Sequence, residues 1–274
     1  MSPVNSMDYS GKDTVLDVVR RESADFFKIV DDPKNWNVQT RCTEWEVRDM
    51  VGHMLDVTEG YLTRWEKARK GEAIDTAGLL VMGESLNKNA QAFRSLPREE
   101  AINRLKADYK QMMEIFDKLT AEEWGNFIVT HPYMGGLPTF FYPAFHVMDY
   151  GVHTWDMRWG MGEKDRKLNE TTAGVLVPYM LFALLPSTVD QPSAKGVDVE
   201  YGIEVSGEWG GKWRATVKDG KFEAKPTDNF DGCQAVFSYD PSDFVLTAFQ
   251  RFPGGKASGD PEVIKKVRNL FFRI

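Results

Sequence analysis

The segment FHVMDYGVHTWDMRW, residues 145–159, concentrates side chains that could bind a metal ion or transfer a proton. On a helix with about 100° per residue, His146, Asp149, His153 and Asp156 fall within one stripe about 80° wide. The opposite side of this helix carries methionine, valine and tryptophan. An apolar side this rich should be covered as well, so we expect the polar stripe to face the interior of a bundle or a cleft.

Within this stripe, Asp149 and His153 are the pair best spaced for one metal ion. They are four residues apart, which is about 6 Å along the helix axis and lets both side chains reach the same ion. His146 and His153 are two turns apart, too far to share an ion comfortably. His146 with Asp149 or Tyr150 remains an alternative pair.

A third ligand is expected from a second helix. His53 lies at the edge of an apolar stripe formed by Met50, Met54, Val57 and Tyr61. A buried histidine is unfavourable unless it is hydrogen-bonded or binds a metal. Two imidazoles and a carboxylate are a common catalytic set, with three protein ligands and one position left for water or substrate.

Two other interpretations of these histidines remain open. Each histidine could be a core residue satisfied by hydrogen bonds, with His153 bonded to Asp149 or Asp156. An aspartate and a histidine could also form an acid–base pair that works without a metal. His131, in the loop THPYMGGLP, is expected at the rim of the site, where it could contact substrate.

Four long helices should position these residues. The spacing of apolar side chains predicts helices over residues 12–30, 43–71, 97–119 and 138–159. The second of them should begin with a capping box formed by Thr43 and Glu46. Long helices joined by modest loops indicate a four-helix bundle.

The pattern changes after residue 160. An apolar helix is predicted over 171–185, and the alternation that ends at Asp219-Gly220 predicts a β-hairpin with a tight turn. QAVFSY predicts a strand, and the Asp-Pro pairs that begin at Asp240 and Asp260 each predict the start of a helix. We therefore predict an α+β protein with two domains, a four-helix bundle at 1–165 and a small α+β domain at 166–274.

Composition narrows the classes of function. A chain of 274 residues, 42% hydrophobic and 27% charged, can build a sizeable core without a disulfide or a metal. A net charge of −7 argues against a nucleic acid or an anionic membrane as partner. Cys42 and Cys233 form no CxxC pattern, and the N-terminus lacks the apolar core of a signal peptide. These features predict free thiols in a cytoplasmic protein.

Two segments resemble a known family. CTEWEVRDMVGHML (Cys42–Leu55) resembles a segment of the DinB-like metal-binding bundles, in particular of the N-terminal domain of mycothiol-dependent maleylpyruvate isomerases. DYGVHTWDM (Asp149–Met157) is similar to the acidic-x-x-x-His-x-x-Asp segment of the same family. The resemblance implies metal ligands at His53, Asp149 and His153. Zinc is the expected ion, with nickel and iron as alternatives.

The C-terminal part resembles the sterol-carrier-like domain that often follows such bundles, and the segments that carry this likeness are GKWRATVKDGK, QAVFSYDPSDFVLTAFQR and ASGDPEVIKKV. Two departures stand out: the isomerases are expected to have glutamate where this chain has Asp149, and their Gly-Arg appears here as Gln250-Arg251. The resemblance implies a functional arginine, and we predict Arg251 as a catalytic residue that supplies a fixed positive charge for an anionic substrate. A solvated surface arginine is the alternative.

The chemistry implied by the resemblance uses a low-molecular-weight thiol such as mycothiol. A divalent ion with an open position lowers the pKa of a bound thiol, and the thiolate attacks an electrophilic carbon of a small substrate. We therefore expect a metal- and thiol-dependent isomerase or transferase, monomeric or homodimeric. The alternative is a non-catalytic metal-binding protein whose C-terminal domain binds an apolar small ligand.

Overall fold

The computed structural model describes residues 5–72 and 74–272. These residues form two compact units, one over 5–166 and one from residue 167 onward. The first is mainly helical and the second contains the larger sheet. Among the described residues, no helix is both long enough and apolar enough to cross a bilayer.

The first unit is built on long helices that pack in pairs. In chain order its elements are α1 (Lys12–Asp31), α2 (Val47–Arg69), α3 (Leu79–Ala92), α4 (Arg98–Lys118), α5 (Ala121–Asn126), β1 (Ile128–His131), β2 (Gly135–Pro138) and α6 (Phe141–Gly160). α1 packs mainly against α6, and α2 packs against α3 and α4. Residues such as Phe26, Met50, Leu105 and Tyr150 join these helices in one apolar core.

The four predicted long helices are confirmed as α1, α2, α4 and α6, whereas α3, α5 and the antiparallel β1–β2 hairpin were not predicted. The predicted start of α2 at Thr43 was wrong. Its first residue is Val47, and the Asp49 carboxylate accepts the backbone N–H of Glu46 at 2.8 Å. Thr43 lies instead in a turn, in which the Trp45 N–H donates to the Cys42 carbonyl at 3.0 Å, and the Val47 N–H donates to the Val38 carbonyl at 3.0 Å. Glu46 is therefore the N-cap residue of α2, and Asp49 is the carboxylate three residues later that completes the capping box.

α3 lies directly against the first turns of α2. A Cβ atom placed on Gly52 would lie 2.1 Å from the Ala90 carbonyl oxygen, so the two backbones approach as closely as glycine permits. Arg94 also donates two hydrogen bonds to the fully buried Asp49, from Nε at 2.6 Å and Nη2 at 2.7 Å. Such a two-pronged contact fixes geometry as well as distance, and here it ties the turn that follows α3 (Phe93–Ser95) to the first turn of α2.

The second unit combines an apolar helix with a five-stranded sheet. α7 (Glu170–Tyr179) continues through a π-helical turn (Met180–Leu184) into α8 (Leu185–Ser187), and α9 (Gln191–Ala194) follows. The remaining elements are β3 (Asp198–Val205), β4 (Gly211–Lys218), β5 (Lys221–Pro226), β6 (Ala235–Tyr239), α10 (Pro241–Ala248), β7 (Lys256–Gly259) and α11 (Pro261–Arg268). The strand order is β5-β4-β3-β6-β7, with β3 and β6 parallel and the other neighbours antiparallel.

Local signals in this unit were predicted correctly. The β4–β5 hairpin turns at Asp219 and Gly220, whose φ angles of 51° and 73° are those of a primed turn. Asp240 and Asp260 cap α10 and α11, because their carboxylates accept backbone N–H groups of the first turn at 2.9 and 2.8 Å. Short-range turn and cap chemistry therefore determines where these elements begin.

Candidate metal centre

Helices α2 and α6 bring three of the predicted site residues together. His53 comes from α2, and Asp149 and His153 lie one turn apart on α6. One ligand atom of each lies within 4.8 Å of the other two, and His53 Nε2 is 4.0 Å from Asp149 Oδ1. All three residues are at most 8% exposed. Zinc–ligand bonds are about 2.0–2.2 Å long, so small side-chain rotations would let one ion reach all three.

The electrostatics of Asp149 suit a cation. Burial raises the pKa of this carboxyl to about 6, and the charge of His153 opposes part of that rise. No lysine or arginine in the described part of the chain forms an ion pair with Asp149. A buried carboxylate without a strong cationic partner is costly in its charged form, and a divalent ion between it and two imidazoles would remove that cost.

Asp156 orients His153. Its Oδ2 atom lies 3.1 Å from His153 Nδ1, and the Asp156 side chain is fully buried. The ring nitrogen Nδ1 then carries the proton, which leaves Nε2 as the atom available to a metal. Asp156 therefore fixes the orientation of the His153 ring, whereas the nearby Arg158 pairs with Asp25 and Glu163.

Trp45 covers both imidazoles and was not predicted as part of the site. Its ring centroid lies 4.9 Å from that of His53 and 5.7 Å from that of His153. The indole N–H donates to the side chain of Asn87 on α3 at 2.8 Å. The unpredicted helix α3 therefore holds an aromatic wall that limits the access of water to the histidines. The only sequence signal was a tryptophan eight residues before His53.

The predicted position of His131 at the rim of the site was wrong. The side chain is buried, with 6% exposure. The β1–β2 hairpin folds it inward, so that His131 Nε2 lies 3.2 Å from the Tyr61 hydroxyl. Its Nδ1 accepts the backbone N–H groups of Tyr133 and Met134, both at 3.2 Å. Burial lowers the pKa of His131 to about 3, and the positive charge of Arg64 adds to the effect. This histidine is therefore neutral at physiological pH.

His146 lies outside the three-residue group, although it is one turn before Asp149 on α6. Its Nδ1 atom is 3.1 Å from the Tyr142 carbonyl oxygen. Burial lowers the pKa of His146 to about 4, and the carbonyl offsets part of this shift. Its Nε2 atom is buried and forms no hydrogen bond within the described ranges.

Arg251 follows α10 in the second unit and is 7% exposed, so its alternative interpretation as a solvated surface residue was wrong. Its Nη1 atom donates to the Phe249 carbonyl at 3.1 Å, and its backbone N–H donates to the Leu246 carbonyl at 2.8 Å. The preceding residue, Gln250, has a φ of 52°. That is the left-handed region that glycine adopts most easily, so Gln250 keeps a glycine-type turn without glycine.

The segment that contains the candidate metal ligands also identifies the protein family. Residues 16–158 match the family model described as the mycothiol maleylpyruvate isomerase N-terminal domain. The chain belongs to this family. The match includes His53, Asp149 and His153 together with Trp45 and Tyr61. No curated protein matches the chain significantly in sequence.

Solved structures extend the likeness to the whole fold. A crystal structure of the mycothiol-dependent maleylpyruvate isomerase has a TM-score of 0.59 and 13% identity, with 90% of this chain and 92% of that chain covered. A histidine-to-alanine mutant of that enzyme has a TM-score of 0.58 and 12% identity, with the same coverage of both chains. The colibactin self-resistance protein ClbS in complex with a dsDNA has a TM-score of 0.47 and 14% identity, with 55% of this chain and 94% of that chain covered. The predicted two-domain α+β fold class is thus confirmed, and the absence of a nucleic-acid partner stays a prediction.

Proposed function

We propose that this chain is a divalent-metal-dependent enzyme that uses a low-molecular-weight thiol, mycothiol or an equivalent, for isomerisation or thiol transfer on a small electrophilic substrate. The observation that carries the proposal is the approach of His53, Asp149 and His153 within 4.8 Å of one another, on a chain of this family. Two imidazoles and a carboxylate suit zinc, nickel or iron better than magnesium or calcium. Three protein ligands also leave a position open for a thiol.

The chain's own residues supply orientation and a dry environment. A divalent ion held by this set would lower the pKa of a thiol and provide thiolate at neutral pH. Asp156 keeps Nε2 of His153 free of a proton, and Trp45 shields both imidazoles from water. Arg251 is proposed as the fixed positive charge for an anionic substrate, and its burial and the hydrogen bond from its Nη1 to the Phe249 carbonyl support a defined position for the guanidinium.

Elemental analysis of the purified protein tests the metal part of the proposal. We expect about one divalent ion per chain, removable by a chelator. A screen of thiols against electrophilic substrates, with maleylpyruvate and mycothiol as the first pair, tests the reaction. Turnover that requires both metal and thiol supports the proposal. A metal-free protein as purified, or turnover that is independent of thiol, would overturn it.

A second candidate function is supported by a cavity in the C-terminal unit. The cavity has a volume of about 270 Å³ and is lined mainly by apolar side chains of β3, β6 and the helices around them, including Tyr201, Ile203, Phe237 and Phe244. Concave apolar sites are typical of small-ligand binding. In this alternative the chain is a non-catalytic metal-binding protein whose C-terminal domain binds an apolar small ligand. A structural metal site is closed, so an exchangeable water on the bound metal would favour the enzyme.

A further inference from the structure

Several buried polar atoms of the first unit have unused hydrogen-bonding capacity, and two of them belong to neighbouring rings, those of Tyr61 and His146. The Tyr61 hydroxyl on α2 has one partner among the described residues, His131 Nε2 at 3.2 Å. On α6, Nε2 of His146 has none. Tyr61 is 4% exposed and His146 1% exposed. Buried polar atoms of this kind are nearly always satisfied by protein, water or ligand.

The contacts of His131 fix the direction of its bond to Tyr61. Its Nδ1 atom accepts two backbone N–H groups, from Tyr133 and Met134, and so carries no proton. In a neutral imidazole the proton is then on Nε2. The Nε2–H of His131 therefore donates to the Tyr61 oxygen, and the hydroxyl proton of Tyr61 remains available for another acceptor.

The opposite tautomer follows for His146. Its Nδ1 atom faces the Tyr142 carbonyl oxygen, which can only accept a hydrogen bond. Nδ1 therefore carries the proton, and Nε2 presents a lone pair. The lowered pKa values of both histidines, caused mainly by burial, agree with two neutral rings. Tyr61 is thus an unused donor and His146 an unused acceptor.

We propose that Tyr61 and His146 together bind one neutral hydroxyl group, either a water molecule or a hydroxyl of the bound substrate. The two rings lie 6.0 Å apart, centroid to centroid, and no direct bond joins them. A hydroxyl oxygen can accept from Tyr61 and donate to His146 at the same time. A carboxylate cannot donate to His146, and an ammonium group cannot accept from Tyr61. The site therefore selects hydroxyl groups over charged ones.

The position of this subsite relates it to the candidate metal centre. Asp149 lies one turn after His146 on the same helix, and its charge contributes, after burial, to the raised pKa of Tyr61. A substrate hydroxyl or enol held here would lie on the Asp149 side of the centre. Binding of a substrate hydroxyl at this subsite rests on the proposed function. Binding of a water molecule does not, because it requires neither metal nor thiol.

High-resolution crystal structures test the subsite. In the unsoaked protein we expect a water oxygen within hydrogen-bond distance of both Tyr61 Oη and His146 Nε2. After a soak in 2-propanol, an alcohol oxygen at the same point would identify substrate hydroxyls as occupants, whereas a retained water would identify a structural water. Both results support the proposal. Absence of any oxygen there, or a direct bond between the two side chains, would overturn it.

Variants separate the two partners. Tyr61→Phe deletes the donor, and His146→Asn keeps a donor near the Nδ1 position but deletes the acceptor at Nε2; each should lose the bound oxygen. Tyr142→Phe is the matched control, since its hydroxyl is already committed to the Val129 carbonyl at 3.0 Å, and it should keep the oxygen. Retention of the oxygen in both test variants would contradict the assignment.

Nitrogen-15 NMR of the histidine rings gives a test that needs no variant. We expect His131 with its proton on Nε2 and His146 with its proton on Nδ1 at neutral pH, with or without metal. The reverse tautomer at either ring would overturn the inference. A metal-free protein with the expected tautomers and oxygen would overturn the proposed function alone, and a metal-loaded protein without the oxygen would overturn this inference alone.

Discussion

One oxygen of Asp156 contacts both a histidine and a thiol: it lies 3.1 Å from His153 Nδ1 and 3.4 Å from Cys42 Sγ. Cys42 precedes α2, whereas Asp156 and His153 are three residues apart on α6. The contact therefore ties the segment before α2 to the helix that carries two of the three proposed ligands. The backbone repeats this tie, because the Arg41 N–H donates to the Asp156 carbonyl at 3.0 Å.

Asp156→Asn should weaken metal binding without abolishing it. The asparagine amide lacks the negative charge with which Asp156 favours the metal-binding tautomer of His153. The affinity for the metal should therefore fall by about 10- to 100-fold. Competition with a chelator of known affinity measures the change. Cys42→Ser is the control, because a serine hydroxyl still donates to the same oxygen, and its affinity should change less. Wild-type affinity in Asp156→Asn would contradict this role.

His53→Ala and His153→Ala should each lose most of the metal, because each removes one of three protein ligands. Elemental analysis of the purified variants provides the measurement. His146→Asn, which changes another buried histidine of the same unit, should retain the metal. If both alanine variants kept the metal content of the wild type, the proposed ligand set would be incorrect.

Arg251→Ala should keep the metal and the fold but lose most of the turnover, because it removes the proposed fixed charge for an anionic substrate. Turnover with the active thiol and substrate pair, alongside metal content and thermal unfolding, measures the effect. Arg214→Ala is a suitable control, since it removes a partly exposed arginine that pairs with Glu200 in the same unit. Unchanged turnover in Arg251→Ala would exclude a catalytic role.

Asp108 should make stability fall as the pH rises. Burial, with a smaller effect from the charge of Glu59, raises the pKa of Asp108 from 3.8 to about 6, and Arg104 opposes the shift. The folded state therefore binds this proton more tightly than the unfolded state, so the free energy of unfolding decreases between pH of about 4 and about 6. Above that window the charged Asp108 is a cost, and Asp108→Asn should be more stable than the wild type.

Urea unfolding at several pH values tests this expectation. The difference between Asp108→Asn and the wild type should appear only as the pH rises through the window. Glu114→Gln, at an exposed position of α4, is the control for the loss of one negative charge on this helix. A difference that is constant with pH would assign the effect to packing rather than to ionisation.

Limited proteolysis should cut first between Gly162 and Glu170. We propose a domain boundary near residue 165, and most side chains in this polar stretch are exposed. Mass spectrometry of the first fragments identifies the cleavage site. Initial cleavage inside α1–α6 or inside the sheet, with this stretch intact, would count against the boundary.

The features that the sequence predicted well are periodic or local. The apolar spacing of α1, α2, α4 and α6 spans several turns, and the caps at Asp240 and Asp260 depend only on residues within one turn. His53, Asp149 and His153 could be proposed for the same reason, since two of them share a helix face and the third interrupts an apolar stripe.

The features that the sequence missed depend on tertiary contacts. α3 is held by groups that are distant in sequence, such as Asp49 bound to Arg94 and Gly52 against Ala90. His131 was misplaced because only the pairing of β1 with β2, and the hydroxyl of Tyr61, turn it inward. The start of α2 was misplaced because Thr43 with Glu46 and Glu46 with Asp49 both offer side chains at the spacing of a capping box, and the bond between the Val47 N–H and the Val38 carbonyl favours the later start.

Gly52 also limits how this protein could be redesigned. Any side chain at position 52 would push α3 away from α2, because the Ala90 carbonyl occupies the space that a Cβ atom needs. The displaced helix would carry Asn87 with it, and Asn87 holds Trp45 over the imidazoles of His53 and His153. A mutant library aimed at a new substrate can therefore vary many positions around the centre, but it must keep glycine at position 52 or replace α3 at the same time.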